Sequence, residues 1–454
     1  MFLIVKKLFR LTEYSKYLMV NNVKYIKKCY NVFKENLLCN QGVIKMNNTQ
    51  RQFVDILSAS IRGKNITNVY DNVNWDEILD LAGAHKVEGI IYSGLNKGGL
   101  IKYIEAEKLE KLKRSTFNTG IGQLRHIKNL SNVFSKFNEE NIPVIVLKGL
   151  VVREFYPRPE QRSMCDADIL VHKKDVERAK LLLIEMGYIF LEDHEASHHI
   201  ALSHPYYLMV EIHWHLFKRD GFSSELGNFE KLIWKDAIKI KVGDAEVISL
   251  GYEDLALHLC MHMASHIAAT GFGVRQLCDL VLLVESKGQE INWDKFIMKS
   301  RMYGFEKFCL IMFILCNKLF GMDVPSELNI NRVGNKRYIY ALINEILESG
   351  VHGKRDMTSR FGNQVAFNFE EKDNNATLGA IKRYVAFIFP AGNKMSNKYK
   401  YAKKVKLLLP IAWIHHLFAG IFTAEYSFNE KLNFLISGAK VAVKRNKLLN
   451  WMDI

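Results

Sequence analysis

The 454-residue chain is long enough for two or three domains and a sizeable core, and its 48% hydrophobic and 24% charged residues are the proportions of an ordinary soluble globular protein. Only seven prolines and 28 glycines, with no tandem repeat and no low-complexity tract, exclude a mosaic of linkers. The net charge of +15 suits a polyanionic partner such as a nucleotide, RNA or an anionic membrane surface. It suits equally a lysine- and asparagine-rich chain that has drifted basic, because charge speaks to steering and solubility rather than to fold.

The seven cysteines (Cys29, Cys39, Cys165, Cys260, Cys278, Cys309, Cys316) form no CxxC pair and follow no spacing, which points to reduced thiols and a cytoplasmic location. The opening MFLIVKKLF has too short an apolar run, and no small-residue cleavage site follows, so it does not read as a signal peptide. Residues 1–45 are basic and poor in acids. They are expected to be a disordered extension or an amphipathic basic helix able to touch a membrane surface. Residues 46–140 repeat apolar side chains every three or four positions and predict a helical N-terminal region.

The period then changes. IPVIVLK (142–148) reads as a buried strand ending in a turn at Gly149, and CDADILV (165–171) as a second strand. KKDVERAKLLLIEMGY (173–188) predicts an amphipathic helix and YYLMVEIHWHLF (206–217) a third strand, after which helical periodicity is expected from 222 to the end. The organisation expected is a core at 141–250, a helical region packing on it at 251–330 and a helical C-terminal region at 331–454.

Asp166 and Asp168 are one residue apart, so on a strand they share a face. Two such carboxylates raise each other's pKa unless a cation neutralises them. Hard oxygen ligands favour Mg²⁺, or Mn²⁺. Glu211, on another strand, would complete a carboxylate set able to hold one or two ions for phosphoryl or nucleotidyl transfer. Lys148 is placed to touch a triphosphate, Gly149 lets backbone N–H groups approach it, and Arg162 offers a bidentate grip.

The stretch IPVIVLKGLVVREFYPRPEQRSMCDADILV resembles the uncharacterised nucleotidyltransferase family of the DNA polymerase β superfamily. The resemblance rests on Leu147, Lys148 and Gly149, on Tyr156 and Pro157, on Arg162, and on Asp166 and Asp168. VEIHWHL resembles that family's acidic-x-His-Trp segment, placing the third carboxylate on Glu211 with His213 and Trp214. LALHLCMHMASH and VRQLCDLVLLV resemble its helical continuation through His258, His262, Arg275 and Asp279. The similarity runs from about Trp75 to Pro390. It implies an α+β fold, a polymerase-β-like nucleotidyltransferase core (a small mixed sheet with helices) embedded in largely helical N- and C-terminal regions. It also implies transfer of a nucleoside monophosphate from an NTP to an acceptor it does not name: protein, RNA or small molecule. The superfamily's Gly-Ser or Gly-Gly after the first strand is Lys-Gly here.

Two other functions stay open at this point: a catalytically silent NTP-binding or antitoxin-like module, and a zinc-dependent hydrolase built on the histidines. His213 and His215 are expected on one strand face with Glu211, where His213 could position an acceptor or a phosphate. His258, His262 and His266 form one helical stripe, but HLCMH and HMASH lack the glutamate of HExxH, so packed core or a pocket wall is preferred. Arg275 and Asp279, one turn apart, are expected to pair. VKLLLPIAWIHHLFAGIFTA (405–424) is apolar, yet Lys406, Pro410, His415 and His416 interrupt it, so a buried helix is expected rather than a membrane span.

Overall fold

The computed structural model describes residues 46–66, 72–191, 199–216, 232–269, 271–351, 397–399, 401–402, 408–413, 415 and 444–454. The basic extension at 1–45 and most of the apolar tail at 405–424 lie outside the described residues. Lys45–Ile454 forms one compact unit.

Helices come first, as the spacing predicts. α1 (Asn48–Ile61) is started by a reciprocal cap between Asn47 and Gln50 and buries Phe53, Val54, Ile56, Leu57 and Ile61 on one face. α2 (Trp75–His85) and α3 (Glu88–Lys97) pack beside it. α4 (Ala106–Glu139), 34 residues long, buries Leu130, Val133, Phe134 and Phe137 near its end and leaves Phe117 and Leu124 exposed.

A seven-stranded mixed sheet follows, in the order β3-β4-β5-β2-β1-β7-β6. Its strands are β1 (Val144–Val146), β2 (Asp166–Val171), β3 (Ile189–Leu191), β4 (His199–Ser203), β5 (Met209–His213), β6 (Ile238–Val242) and β7 (Ala245–Ser249). Between β1 and β2 runs the short α5 (Gly149–Val152), and between β2 and β3 lies α6 (Val176–Glu185). The sheet is larger than the three strands expected. In particular, 238–249 is a hairpin where helix was predicted, with Val242 opposite Ala245 across a Gly243-Asp244 turn. Gly243 has φ +58°, and a Cβ there would sit 2.9 Å from Ser131 Cβ. Ser131 Oγ in turn accepts the N–H groups of Asp244 and Ala245, pinning the hairpin to α4.

The rest is helical: α7 (Tyr252–Ala269), α8 (Val274–Lys287), α9 (Trp293–Met302), α10 (Glu306–Phe320) and α11 (Lys336–Ser349). α8 and α10 are buried along most of their lengths, so one continuous core joins helices and sheet. The architecture is α+β, a mixed sheet among helices. Among the described residues no helix is long and apolar enough to cross a membrane.

Candidate active site

β2 is the sheet's middle strand. It runs parallel to β5 and antiparallel to β1. The β2–β5 register sets Asp168 directly opposite Glu211 and Leu170 opposite His213. Because side chains alternate, Asp166 and Asp168 on β2, and Glu211 and His213 on β5, all project from one face. Exposure falls inward along β2. Asp166 is exposed at its start, Asp168 is 5% exposed, and Ile169, Leu170 and Val171 behind it are buried.

Asp168 is the hub. Its Oδ1 accepts from Lys148 Nζ at 2.9 Å and lies 3.0 Å from His213 Nε2. The same Nε2 stands 3.5 Å from Glu211 Oε2. Burial alone would raise the Asp168 carboxyl, but Lys148 and His213 hold it well below the usual carboxylate range. The mutual elevation expected of the two aspartates therefore falls on Asp166 alone: its side chain reaches solvent, but the surrounding protein desolvates the carboxyl and, with the charge of Asp168, pushes it up. Burial works against the Lys148 amine, yet Asp168, Asp166 and Glu211 together hold it above its ordinary value. His213 is likewise raised, since its bonds to Asp168 and Glu211 outweigh burial. Asp168, Glu211 and His213 each bring a ligand atom within 4.8 Å of the others, a donor set that fits a divalent cation.

Lys148 reaches Asp168 from a backbone of φ +47°, ψ −118°, a region that favours glycine. Its carbonyl accepts from Val151 N and Val152 N, so the turn holds it there. A residue fixed in such a conformation stores roughly 1–3 kcal/mol, a cost met most often at functional sites. Gly149, next in the turn, has no room for a side chain: a Cβ would lie 2.6 Å from Arg162 Nη1 and 3.0 Å from Met164 Sδ.

Arg162 does not hold out its fork to a phosphate. It is buried, and its Nε and Nη2 bind Asp279 of α8 at 3.2 and 2.6 Å. Tyr156 Oη donates to the same carboxylate at 2.8 Å. The Arg275–Asp279 pair expected from helical spacing is replaced by this one. Arg275 turns its Nη1 to the Ser163 carbonyl and hydroxyl, both at 2.8 Å. The buried carboxylate is thus met bidentately by a guanidinium from outside its own helix.

The histidines divide. His213 faces the carboxylates, but His215 lies beyond the end of β5 rather than on its face. Of the stripe on α7, His258 and His262 lie near enough to Lys148 and Asp168 to feel both charges. Burial, then the Lys148 charge, holds both imidazoles well below their ordinary value. His262 and His266 bring their Nε2 atoms to 3.1 Å. Also unforeseen is His199 on β4, whose ring lies 5.1 Å from that of His213. Its signal was absent because the strand carrying it was not read.

The family described as uncharacterised nucleotidyltransferase matches residues 71–321, which contain the whole carboxylate centre. The match stops well short of Pro390, where the similarity was expected to end. No curated protein matches the chain. Among solved structures, the antibiotic-resistance factor ANT(2'')-Ia is similar at 10% identity, over 37% of this chain and 87% of that one, with a TM-score of 0.28. The lincomycin-bound lincosamide antibiotic adenylyltransferase LnuA is 17% identical over 34% of this chain and 94% of that one, TM-score 0.25. An antigenic nucleotidyltransferase-like protein from Paracoccidioides brasiliensis is 14% identical over 36% and 77%, TM-score 0.27. Overlaps this loose carry no argument about this chain's fold or substrate.

Proposed function

The chain belongs to the uncharacterised nucleotidyltransferase family, and from that premise we propose that it moves a nucleoside monophosphate from an NTP to an acceptor, releasing pyrophosphate, at Asp166, Asp168 and Glu211. The observation that carries this is the in-register pairing of Asp168 with Glu211, with Asp166 two residues away on the same face. Three carboxylates on one rigid patch are costly to assemble without a cation to serve.

Asp166, Asp168 and Glu211 would hold Mg²⁺, or Mn²⁺. Such an ion, when bound, neutralises phosphate charge and favours the ionised form of an attacking hydroxyl. Asp166, at the exposed mouth, meets the incoming nucleotide first. Lys148, now paired with Asp168, would turn its amine to the triphosphate. Gly149 lets its backbone approach the phosphates, while Arg162, its charge matched by Asp279, braces the turn from behind. An acceptor hydroxyl positioned beside Glu211 gives up its proton there. Its oxygen bonds to the α-phosphorus as the bond to the β-phosphate bridge breaks, and pyrophosphate leaves with the electron pair. The acceptor is a small molecule, RNA or protein, and the site chemistry is the same for each.

The test is incubation of the protein with each α-labelled NTP and Mg²⁺, beside the Asp166→Asn/Asp168→Asn double variant. Pyrophosphate release or labelled product is expected in the wild type only, with a loss on the order of a thousandfold in the variant, the scale of several kcal/mol of metal-borne stabilisation. Equal turnover by the variant would remove these residues from the site. NTP binding without turnover by either protein would favour a silent nucleotide-binding module.

A further inference from the structure

Resting on that reading of the carboxylates, we infer that His213 is a direct metal ligand, so that the inner part of the centre, Asp168–Glu211–His213, is a mixed nitrogen and oxygen subsite suited to a transition ion such as Fe²⁺ or Zn²⁺ rather than an all-oxygen site for Mg²⁺.

The argument begins with one atom. His213 Nε2 faces both carboxylates, at 3.0 Å from Asp168 Oδ1 and 3.5 Å from Glu211 Oε2. A single ring nitrogen carries at most one proton and makes at most one well-directed hydrogen bond, so convergence on two acceptors is more than a pair bond needs. Metal–ligand bonds of about 2.1 Å place neighbouring donors about 3.0 Å apart at right angles and about 3.4 Å apart at tetrahedral angles. The two observed separations fall at these edges. All three donors lie within 4.8 Å of one another, so small side-chain shifts bring them onto one ion.

The strand pairing makes this placement rigid. Parallel register sets Asp168 against Glu211, and His213 follows two residues later on the same face. His199, paired to His213 across the β4–β5 ladder, packs its ring 5.1 Å away and limits rotation of the imidazole. Asp166 lies outside the three-donor group and is exposed, whereas Asp168 and His213 are buried. The centre thus divides into an inner subsite with nitrogen and an outer one of oxygen alone, sharing Asp168. Imidazole is a poor partner for Mg²⁺ and a good one for later divalent ions.

The experiment uses the full chain and Mn²⁺ alone as the paramagnetic probe, read by pulsed electron paramagnetic resonance. A directly bound nitrogen modulating the Mn²⁺ echo is expected in the wild type and absent in His213→Gln. Because loss of even an outer-sphere partner weakens metal binding by roughly 10–100-fold, His213→Gln is expected to weaken Mn²⁺ binding at least about tenfold. No bound nitrogen in the wild type overturns the assignment, whether or not the variant folds. So does nitrogen that persists in His213→Gln. Pyrophosphate release is assayed separately: nitrogen-ligated Mn²⁺ without turnover keeps the ligand and sinks the transfer reading, and turnover without bound nitrogen does the reverse.

Discussion

At the scale of single residues, the site depends on positions where ordinary side-chain chemistry is denied its first choice. Lys148 occupies a glycine-favouring backbone conformation while the true glycine beside it is needed for space. Gly149→Ala tests that division. The added Cβ would lie 2.6 Å from Arg162 Nη1, and Arg162 cannot swing aside without leaving Asp279. Overpacking of this kind costs about 1–3 kcal/mol, so denaturant unfolding should show a loss of that size, and wild-type stability would mean the turn yields freely. These residues also mark the limit of reading a sequence. Asp166 and Asp168 were legible because one-residue spacing on a strand fixes a common face. Arg162 was not, because its partner stands 117 positions away, and nothing local says which of two arginines a buried carboxylate will take. The depressed Asp168 was hidden for the same reason: its two cationic neighbours come from other elements.

At the scale of elements, α7 carries two buried imidazoles and gives the fold a sensitivity to acid. His258 and His262 are held well below their ordinary value, chiefly by burial, and so stay neutral when folded. In the unfolded chain both take up a proton below about pH 6.5, so acid favours unfolding. Their stabilisation is complete above that pH and is lost as the pH falls towards their depressed folded values. The slope is up to about 1.4 kcal/mol per pH unit for each. His213 is shifted the other way, so its contribution is present below its unfolded value and is lost only as the pH rises through the folded one. Urea titrations of metal-free protein between about pH 5 and 6.5 should show the steep limb, and His262→Gln should flatten it; an unchanged slope would show that His262 is not neutral in the fold. Elements were legible in proportion to their burial. β2, buried behind its first residue, announced itself, and α6 showed its stripe. The β6–β7 hairpin also alternates, Ile238-Lys239-Ile240-Lys241-Val242 before a Gly-Asp turn. Its period of two was submerged in a region read for a period near four.

At the scale of the whole molecule, the core extends past the segment that the family match covers. The family match ends at 321, yet Leu448, Leu449 and Met452 are buried in the main core and Trp451 stacks on Tyr338 of α11 at 5.1 Å. Arg445 binds Glu345 of α11 and the Ile267 carbonyl of α7, tying the segment to both helices. Truncating a buried leucine costs about 2–5 kcal/mol, so Leu449→Ala should lower the melting temperature of the entire chain in one cooperative transition; a separate early transition would make this segment an independent appendage. The Arg162–Asp279 pair carries the same lesson inward. A strand-based boundary would cut the catalytic block out as 141–250, and that fragment would keep every carboxylate of the centre while discarding α8. Its buried guanidinium would then face no counter-charge, and the Gly149 turn would lose its brace. The smallest piece able to show chemistry therefore has to be chosen by following ion pairs rather than strands, and it reaches at least through Asp279.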